Sequence, residues 1–150
     1  MSRAALAVLS MLLLPGVAPA AADAPPPAFP SDGVSLYYFH ATLRCQTCLR
    51  LEASIDHCVQ DEFAVELAEG WLDWRALNYE LTPNSALAET LQLRGSELVV
   101  IRWQAGVAVD WERIPAVWEA PDDDGVCAAL KPAVTDYLRA QLAPAGSETP

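Results

Sequence analysis

Two cysteines separated by two residues, Cys45 and Cys48, are the residues of this sequence best suited to chemistry. At the start of a helix such a pair can cycle between dithiol and disulfide, because unpaired N–H groups and the helix dipole stabilise a thiolate there. The pair could instead supply half of a zinc site, bind copper(I) through two thiolates, or be structural and inert. The elements that position the two cysteines help to choose among these uses.

The residues on either side of the pair predict a junction between a strand and a helix. Residues 34–39 form an apolar run typical of a buried strand. From Cys48 onward, apolar residues recur at steps of three and four, which predicts an amphipathic helix that ends at Gly70. Cys45 would lie at or before the first turn with its sulfur toward solvent, and Cys48 one turn later on the apolar face. We therefore favour redox chemistry, with Cys45 as the attacking thiol and Cys48 as the resolving thiol.

The rest of the chain predicts a small α/β domain. Further strands are expected at 71–78, 98–103 and 107–111, with a hairpin turn at 104–106, a short helix at 83–91 and a long helix at 122–142. Pro132 is expected to kink the long helix or to separate its first turn. A right-handed crossover makes the first two strands parallel, and the hairpin adds an antiparallel edge. This order is that of a minimal thioredoxin-like fold, with a central mixed sheet of about four strands and flanking helices.

The first 22 residues resemble a secretory signal peptide. Arg3 precedes an apolar block that ends at Leu14, and small residues around Ala18-Pro19-Ala20 offer cleavage positions. An uncleaved membrane anchor is the alternative, although the block is short for a bilayer span of about 20 residues. We therefore expect a periplasmic or otherwise exported protein. Its expected parts are a signal peptide (1–22), a Pro-rich linker (23–33), a thioredoxin-like domain (34–143) and a flexible tail (144–150).

The charge of the chain limits its partners. Nine Lys and Arg stand against 20 Asp and Glu, and Arg3 is the only charged residue of the leader, so the mature net charge is 8 − 20 = −12. A chain this acidic repels nucleic acid and anionic lipid, and both are excluded as partners. Cleavage after Ala22 leaves 150 − 22 = 128 residues, which suits one domain, and we expect a monomer.

Several residues near the pair have both a functional and a structural interpretation. Arg44 and Arg50 could stabilise a thiolate, or Arg44 could be a solvated loop residue. His40 could transfer a proton, complete a zinc site as a third ligand, or be a hydrogen-bonded loop residue. A zinc site would still need about four ligands, and no second Cys-x-x-Cys or His-x-x-x-His is present. His57 is expected to be a helix-side residue, and five tryptophans are expected to pack in the core and at its edges: Trp71, Trp74, Trp103, Trp111 and Trp118.

The other two cysteines, Cys58 and Cys127, could form a structural disulfide. Cys58 lies on the apolar stripe of the first long helix, and Cys127 lies on that of the last. The predicted fold places both helices on one face of the sheet, and an exported protein permits oxidation. Two unrelated free cysteines are the alternative, because the Cα atoms must come within about 7 Å to be bridged.

Residues 36–48, LYYFHATLRCQTC, resemble the YYFHxxxRCxxC signature of small exported proteins of the nitrophenyl compound nitroreductase subunit ArsF family. The resemblance covers about residues 34–140 and includes LDWR at 72–75, NYE at 78–80, ELVV at 97–100, Trp111, and VW at 117–118. It implies a thioredoxin-like fold, thiol redox activity on protein thiols and disulfides, and an inner-membrane partner that passes electrons. Nitro reduction is not carried over, because it normally needs a flavin or a similar hydride carrier and no segment resembles a flavin-binding loop. No cofactor is expected.

The sequence departs from ordinary thioredoxins in the segment before the third strand. Ordinary thioredoxins have a cis-proline there, whereas residues 94–98, RGSEL, contain no proline. The substrate groove must therefore be built differently. Glu97 could oppose thiolate formation or act as a base for the inner thiol, but an exposed strand-start residue is the favoured interpretation. The sequence as a whole predicts an exported thiol–disulfide oxidoreductase, with a copper-binding or electron-relay accessory subunit of a membrane complex as the alternative.

Overall fold

The computed structural model describes residues 28–143, so the expected signal peptide, residues 23–27 of the linker and the tail from residue 144 lie outside it. The described chain alternates strands and helices before ending in a hairpin and a long helix. The elements in chain order are β1 (Gly33–His40), α1 (Gln46–Glu62), α2 (Ala64–Ala68), β2 (Leu72–Asn78), α3 (Asn84–Thr90), β3 (Glu97–Gln104), β4 (Val107–Arg113), a 3₁₀ helix (Pro115–Trp118) and α4 (Asp123–Leu142).

The four strands form one mixed sheet in the order β2-β1-β3-β4. β1 is central and pairs in parallel with β2 through Val34 opposite Leu72, and antiparallel with β3 through Val34 opposite Arg102. β4 pairs antiparallel with β3, and the register shifts between Arg102 and Trp103. The predicted thioredoxin-like fold is confirmed by this parallel β1–α1–β2 unit and the following β3–β4 hairpin.

Side chains of β1 alternate between two apolar layers, as a strand with both faces covered requires. Leu36 and Tyr38 point into a layer that α1 and α4 cover, whereas Tyr37 and Phe39 point into a layer covered by α3. Phe29, which precedes β1, closes the second layer by stacking on Trp103 with ring centroids 5.5 Å apart. The sheet is therefore a rigid base on which the end of β1 and the start of α1 are held.

Two helix predictions need correction. The helix expected to run to Gly70 is interrupted at Phe63, whose buried ring turns into the core and whose backbone leaves the helical region (φ −125°, ψ 26°). α4 is one continuous helix through Pro132, so the expected separation of its first turn does not occur, whereas the alternative of a kink stays a prediction. Leu130 and Val134 are fully buried on either side of Pro132, and this packing outweighs the hydrogen bond that proline cannot make. No helix within residues 28–143 combines the length and apolar character needed to cross a bilayer.

Candidate redox site

The Cys45–Cys48 pair lies at the junction between β1 and α1, near the carboxyl end of β1. Cys45 is the N-cap residue of α1 in an extended conformation, and its Sγ accepts the Cys48 N–H at 3.1 Å. The two Cα atoms are 5.1 Å apart, and the cysteines are joined as a disulfide. Cys45 is exposed and Cys48 is half-buried. The outer sulfur is thus the one that a large substrate can reach.

The backbone of α1 gives the Cys45 sulfur an electropositive setting. An N-cap side chain faces the N–H groups of the first turn, which have no partner inside the helix. A thiolate at Cys45 would gain a charge-assisted hydrogen bond from Cys48 N–H and the favourable end of the helix dipole. This arrangement can lower the energy of the thiolate without any metal or cofactor.

Arg44 does not extend into solvent as a loop residue would. Its guanidinium forms an ion pair with Glu52 of α1, and it lies 5.9 Å from the centre of the Tyr38 ring. Arg50 is exposed on the first turns of α1, and its guanidinium has no hydrogen bond or ion pair within the described chain. The two arginines that flank the cysteines therefore differ: the charge of Arg44 is paired with a carboxylate, and that of Arg50 is exposed to solvent.

The loop before Cys45 is fixed by a hydrogen-bond network that sequence reasoning missed. Asn78 Nδ2 donates to Thr42 Oγ1 at 2.9 Å, and the Thr42 N–H donates to Glu80 Oε2 at 3.0 Å. Tyr79 N–H donates to the His40 carbonyl at 3.0 Å. Hydrogen bonds from Thr42 also lower the pKa of Glu80. Asn78-Tyr79-Glu80 stood out only in the family resemblance, because nothing in its local pattern shows that it meets the loop after β1.

The hydrogen bonds of the His40 and Glu97 side chains are made with other residues and not with the cysteines. His40 Nδ1 lies 2.9 Å from the carbonyl oxygen of Ala41. Glu97 Oε2 accepts from Arg113 Nε at 2.6 Å, and Arg113 also donates to the Leu91 carbonyl at 2.6 Å. Glu97 thus anchors the start of β3 to β4 as a half-buried, ion-paired residue rather than an exposed one. His57, on the surface of α1, pairs with Asp61 at 3.4 Å.

A small groove of about 160 Å³ runs beside the cysteine pair, between the first turns of α1 and the segment that leads into α4. Thr47 and Arg50 form one wall, and Val117 and Trp118 form the other. The Trp118 ring is 39% exposed, and its centre is 6.3 Å from that of Tyr38. Trp118 therefore acts partly as packing and partly as an open surface beside the redox pair.

Large apolar side chains are exposed at the same end of the sheet. Leu43, two residues before Cys45, is 92% exposed, and Leu81, in the loop after β2, is 57% exposed. The hydrogen bonds among Thr42, Asn78 and Glu80 hold these two loops together. Apolar surface is therefore exposed on both of these loops, at the end of the sheet near the cysteine pair.

The described residues contain no group of three or more His, Cys, Asp or Glu side chains placed to hold a metal ion. Cys45 and Cys48 remain a two-thiolate pair when reduced, and His40 is engaged with the Ala41 carbonyl. His40 does not form a three-ligand group with these two cysteines within the described chain, as a zinc site would require.

A second disulfide joins Cys58 of α1 to Cys127 of α4, with Cα atoms 5.4 Å apart. The predicted pairing is confirmed, because the apolar stripes of both helices face the same side of the sheet. Cys58 is 4% exposed, whereas Cys45 is fully accessible. The chain thus carries one open disulfide at the end of the sheet and one protected disulfide between helices.

Comparison with known proteins finds similar solved structures but no matching sequence family. No protein-family model matches the chain, and no curated protein sequence matches it. Among solved structures, chloroplastic thioredoxin z is 19% identical, covers 73% of this chain and 80% of its own, and has a TM-score of 0.43. A thioredoxin of Fasciola hepatica is 13% identical, with coverages of 71% and 83% and a TM-score of 0.42. A malarial protein is 14% identical, with coverages of 71% and 99% and a TM-score of 0.43. The fold therefore rests on the sheet order and connections described above, and the function rests on the site.

Proposed function

We propose that this protein is an exported thiol–disulfide oxidoreductase in which Cys45 exchanges disulfides with substrate and Cys48 resolves the mixed disulfide. The observation that carries the proposal is the exposed Cys45 sulfur, which caps α1, accepts the Cys48 N–H and is bonded to the half-buried Cys48 sulfur. Neither a zinc site nor an inert core pair would need an accessible sulfur at a helix N-terminus.

The exchange proceeds in two displacements that balance without a cofactor. A substrate thiolate attacks Cys45 Sγ, breaks the Cys45–Cys48 bond and leaves a mixed disulfide together with a Cys48 thiolate, which takes up a proton. A second substrate thiolate then attacks the substrate sulfur of the mixed disulfide and releases Cys45 as a thiolate. The substrate has formed a disulfide, and the protein has gained two electrons. The reverse sequence, which starts from the Cys45 thiolate, reduces a substrate disulfide.

The substrates proposed are thiols and disulfides of other proteins. Leu43, two residues before Cys45, and Trp118, which lines a groove with Thr47, expose apolar surface, and this favours a polypeptide over a small polar thiol. The resemblance to the nitrophenyl compound nitroreductase subunit ArsF family supports membership of that family and an inner-membrane partner that passes electrons. The leader-like residues 1–22 support export. Mass spectrometry of the N-terminus of the protein recovered from the host cell envelope tests export, and a chain that still starts at Met1 would contradict cleavage.

The cysteine variants test the chemistry. Cys45→Ser should abolish reduction of insulin by the dithiol form, because the accessible nucleophile is removed. Cys48→Ser should instead accumulate mixed disulfides through Cys45, visible on non-reducing gels and lost on reduction. The double variant Cys58→Ala/Cys127→Ala is the matched control, and it should retain exchange as long as circular dichroism shows that it is folded.

Other outcomes would point elsewhere. If Cys45 in the reduced protein reacted with iodoacetamide more slowly than Cys48, the two roles would be reversed. If the reduced protein bound copper(I), with thiolate-to-metal absorbance, but failed to reduce insulin, the proposal would be replaced by the metal-binding accessory role.

A further inference from the structure

A half-buried ion pair lies along the side of α1 that carries Cys48. Arg44 directly precedes Cys45, but its side chain turns back along the helix so that its guanidinium meets the carboxylate of Glu52. The two side chains are only 19% and 29% exposed. Solvent therefore screens this pair less than the ion pair between Glu62 of α1 and Lys131, whose side chains are 42% and 43% exposed.

The packing around Arg44 holds it in this orientation. The guanidinium lies over the Tyr38 ring of β1, and both Arg44 Nε and the Tyr38 hydroxyl are buried without a hydrogen-bond partner in the described chain. Burial raises the pKa of Tyr38, while the Arg44 charge lowers it and the Glu52 charge raises it. The charges of Arg44 and Glu52 thus shift the pKa of the buried Tyr38 hydroxyl in opposite directions, and their effects there partly cancel.

Their positions in the chain place the same two charged residues next to the cysteine pair. Glu52 follows Cys48 by four residues, and side chains at this spacing are neighbours on a helix. Helical side chains also lean toward the N-terminus, which brings Glu52 over the turn that contains Cys48. Arg44 adjoins Cys45 through the backbone. A change in either charge should therefore be felt at the cysteine pair.

The other charged side chains at this end of the sheet either have partners of their own or are exposed to solvent. Glu80 is tied to Thr42 and Glu97 to Arg113. On α1, Asp56 accepts from Trp74 Nε1 at 2.8 Å, and Arg50 is exposed to solvent. The imidazole of His40 at the end of β1 contacts the Ala41 carbonyl, and Asp123 at the start of α4 accepts from the Ser54 hydroxyl at 2.5 Å.

We propose that Glu52 sets the reduction potential of the Cys45–Cys48 couple by withholding the charge of Arg44 from the Cys45 sulfur. This proposal rests on the proposed function and identifies Glu52 as a positioning residue that acts through Arg44. Reduction of the disulfide takes up two electrons and one proton, and it leaves a thiolate at Cys45 and a thiol at Cys48. A free cation beside Cys45 stabilises the thiolate and so favours the reduced form. A cation already paired with a carboxylate does so less.

Two single substitutions should therefore have opposite effects. Glu52→Gln frees Arg44, and we expect the Cys45 pKa to fall by about half a unit to one unit and the couple to become more oxidising. Arg44→Met keeps the contact with Tyr38 but leaves Glu52 unpaired, so the Cys45 pKa should rise and the couple should become more reducing. An effect of about tenfold on the equilibrium with glutathione corresponds to about 30 mV. The double variant has no charge at either position, and it should lie between the two single variants.

Glu62→Gln is the matched control, because it breaks an ion pair of the same helix, with Lys131 at 2.6 Å, at the opposite end of α1 from Cys48. It should leave both the Cys45 pKa and the glutathione equilibrium unchanged. The pKa is measured from the pH dependence of Cys45 alkylation in the Cys48→Ser background, and the potential is measured in glutathione buffers with the otherwise intact pair. Circular dichroism shows that each variant is folded.

The outcomes separate the two proposals. If the wild-type pair failed to equilibrate with glutathione, the proposed function itself would be lost. If the wild-type pair equilibrated but Glu52→Gln and Arg44→Met shifted it in the same direction, or not at all, only the role of Glu52 would be refuted. A loss of stability alone would not produce opposite shifts in the two variants.

Discussion

At the scale of single residues, chemistry depends on which backbone groups and charges a side chain meets. Cys45 is set apart from the other cysteines by its N-cap position and its exposure, not by its residue type. Glu97, by contrast, has a structural role, because its carboxylate accepts a hydrogen bond from Arg113 and so links β3 to β4. Residues of the same type therefore take different roles according to their partners.

Tyr37 provides a pH prediction at this scale. Its hydroxyl donates to Asp73, and burial is the main cause that raises its pKa well above the ordinary value of about 10. The unfolded chain loses this proton at lower pH than the folded chain does, so the free energy of unfolding should decrease as pH rises above about 10. Tyr137, whose pKa burial raises to about 12, adds to the same trend.

Chemical denaturation at pH values between 8 and 11 measures how the free energy of unfolding decreases with pH. In the Tyr37→Phe variant this free energy should decrease less steeply. A slope that is equal in the wild type and the Tyr37→Phe variant would show that Tyr37 does not contribute.

At the scale of elements, α1 contains one cysteine of each disulfide. Its first turn carries Cys48, and its fourth carries Cys58, which is bonded to Cys127 of α4. The break at Phe63 ends the helix soon after this crosslink, and buried residues along one face fix the helix against the sheet. The open redox pair is thereby mounted on a helix that a second disulfide anchors.

The anchoring disulfide gives a stability prediction. It spans a sequence separation of 69 residues, and loop-entropy models assign such a crosslink on the order of 4 kcal/mol. Cys58→Ala/Cys127→Ala should therefore lower the free energy of unfolding by about that amount. Cys45→Ser/Cys48→Ser removes a disulfide whose sequence separation is only 3 residues, and it should lower the free energy of unfolding by about 2 kcal/mol or less.

Urea denaturation of the two double variants measures the difference. Mild dithiothreitol should also open the exposed Cys45–Cys48 bond first, as shown by peptide mapping after alkylation. Equal losses of stability, or earlier opening of Cys58–Cys127, would contradict the anchoring role.

At the scale of the whole molecule, the excess of acidic residues is the dominant property. The formal net charge of the chain is −11 at pH 7, and repulsion among like charges destabilises a compact state. Salt screens this repulsion, because the Debye length falls from about 30 Å at 0.01 M to about 8 Å at 0.15 M. The midpoint of thermal unfolding should therefore rise as sodium chloride is raised over this range.

Differential scanning calorimetry at constant pH tests this expectation. Glu62→Gln reduces the net negative charge by one but also removes the ion pair with Lys131, so it is a poor probe of net charge. Glu69→Gln, at an exposed position for which no ion pair is found within the described chain, is the better probe. It should weaken the salt dependence slightly, and a midpoint that fell with salt would show that specific ion pairs outweigh net repulsion.

The sequence by itself determined the features that depend on local order. The apolar run of β1, the three- and four-residue steps of α1 and the hairpin at Ala105-Gly106 predicted the elements, and their order predicted the sheet. The position of Cys45 and Cys48 at a strand-to-helix junction followed from the same patterns. The facing apolar stripes also led to the Cys58–Cys127 pairing, although only the fold brought their Cα atoms to 5.4 Å.

Only the tertiary structure decided which distant side chains become partners. Arg44 is committed to Glu52 and Tyr38, Asn78 ties the loop after β2 to Thr42, and Glu97 turns to Arg113. The break at Phe63 and the unbroken path through Pro132 likewise depend on burial against other elements. Local periodicity reports which face of an element is buried. The choice of partner on that face depends on packing and charge across the whole fold, which no local pattern contains.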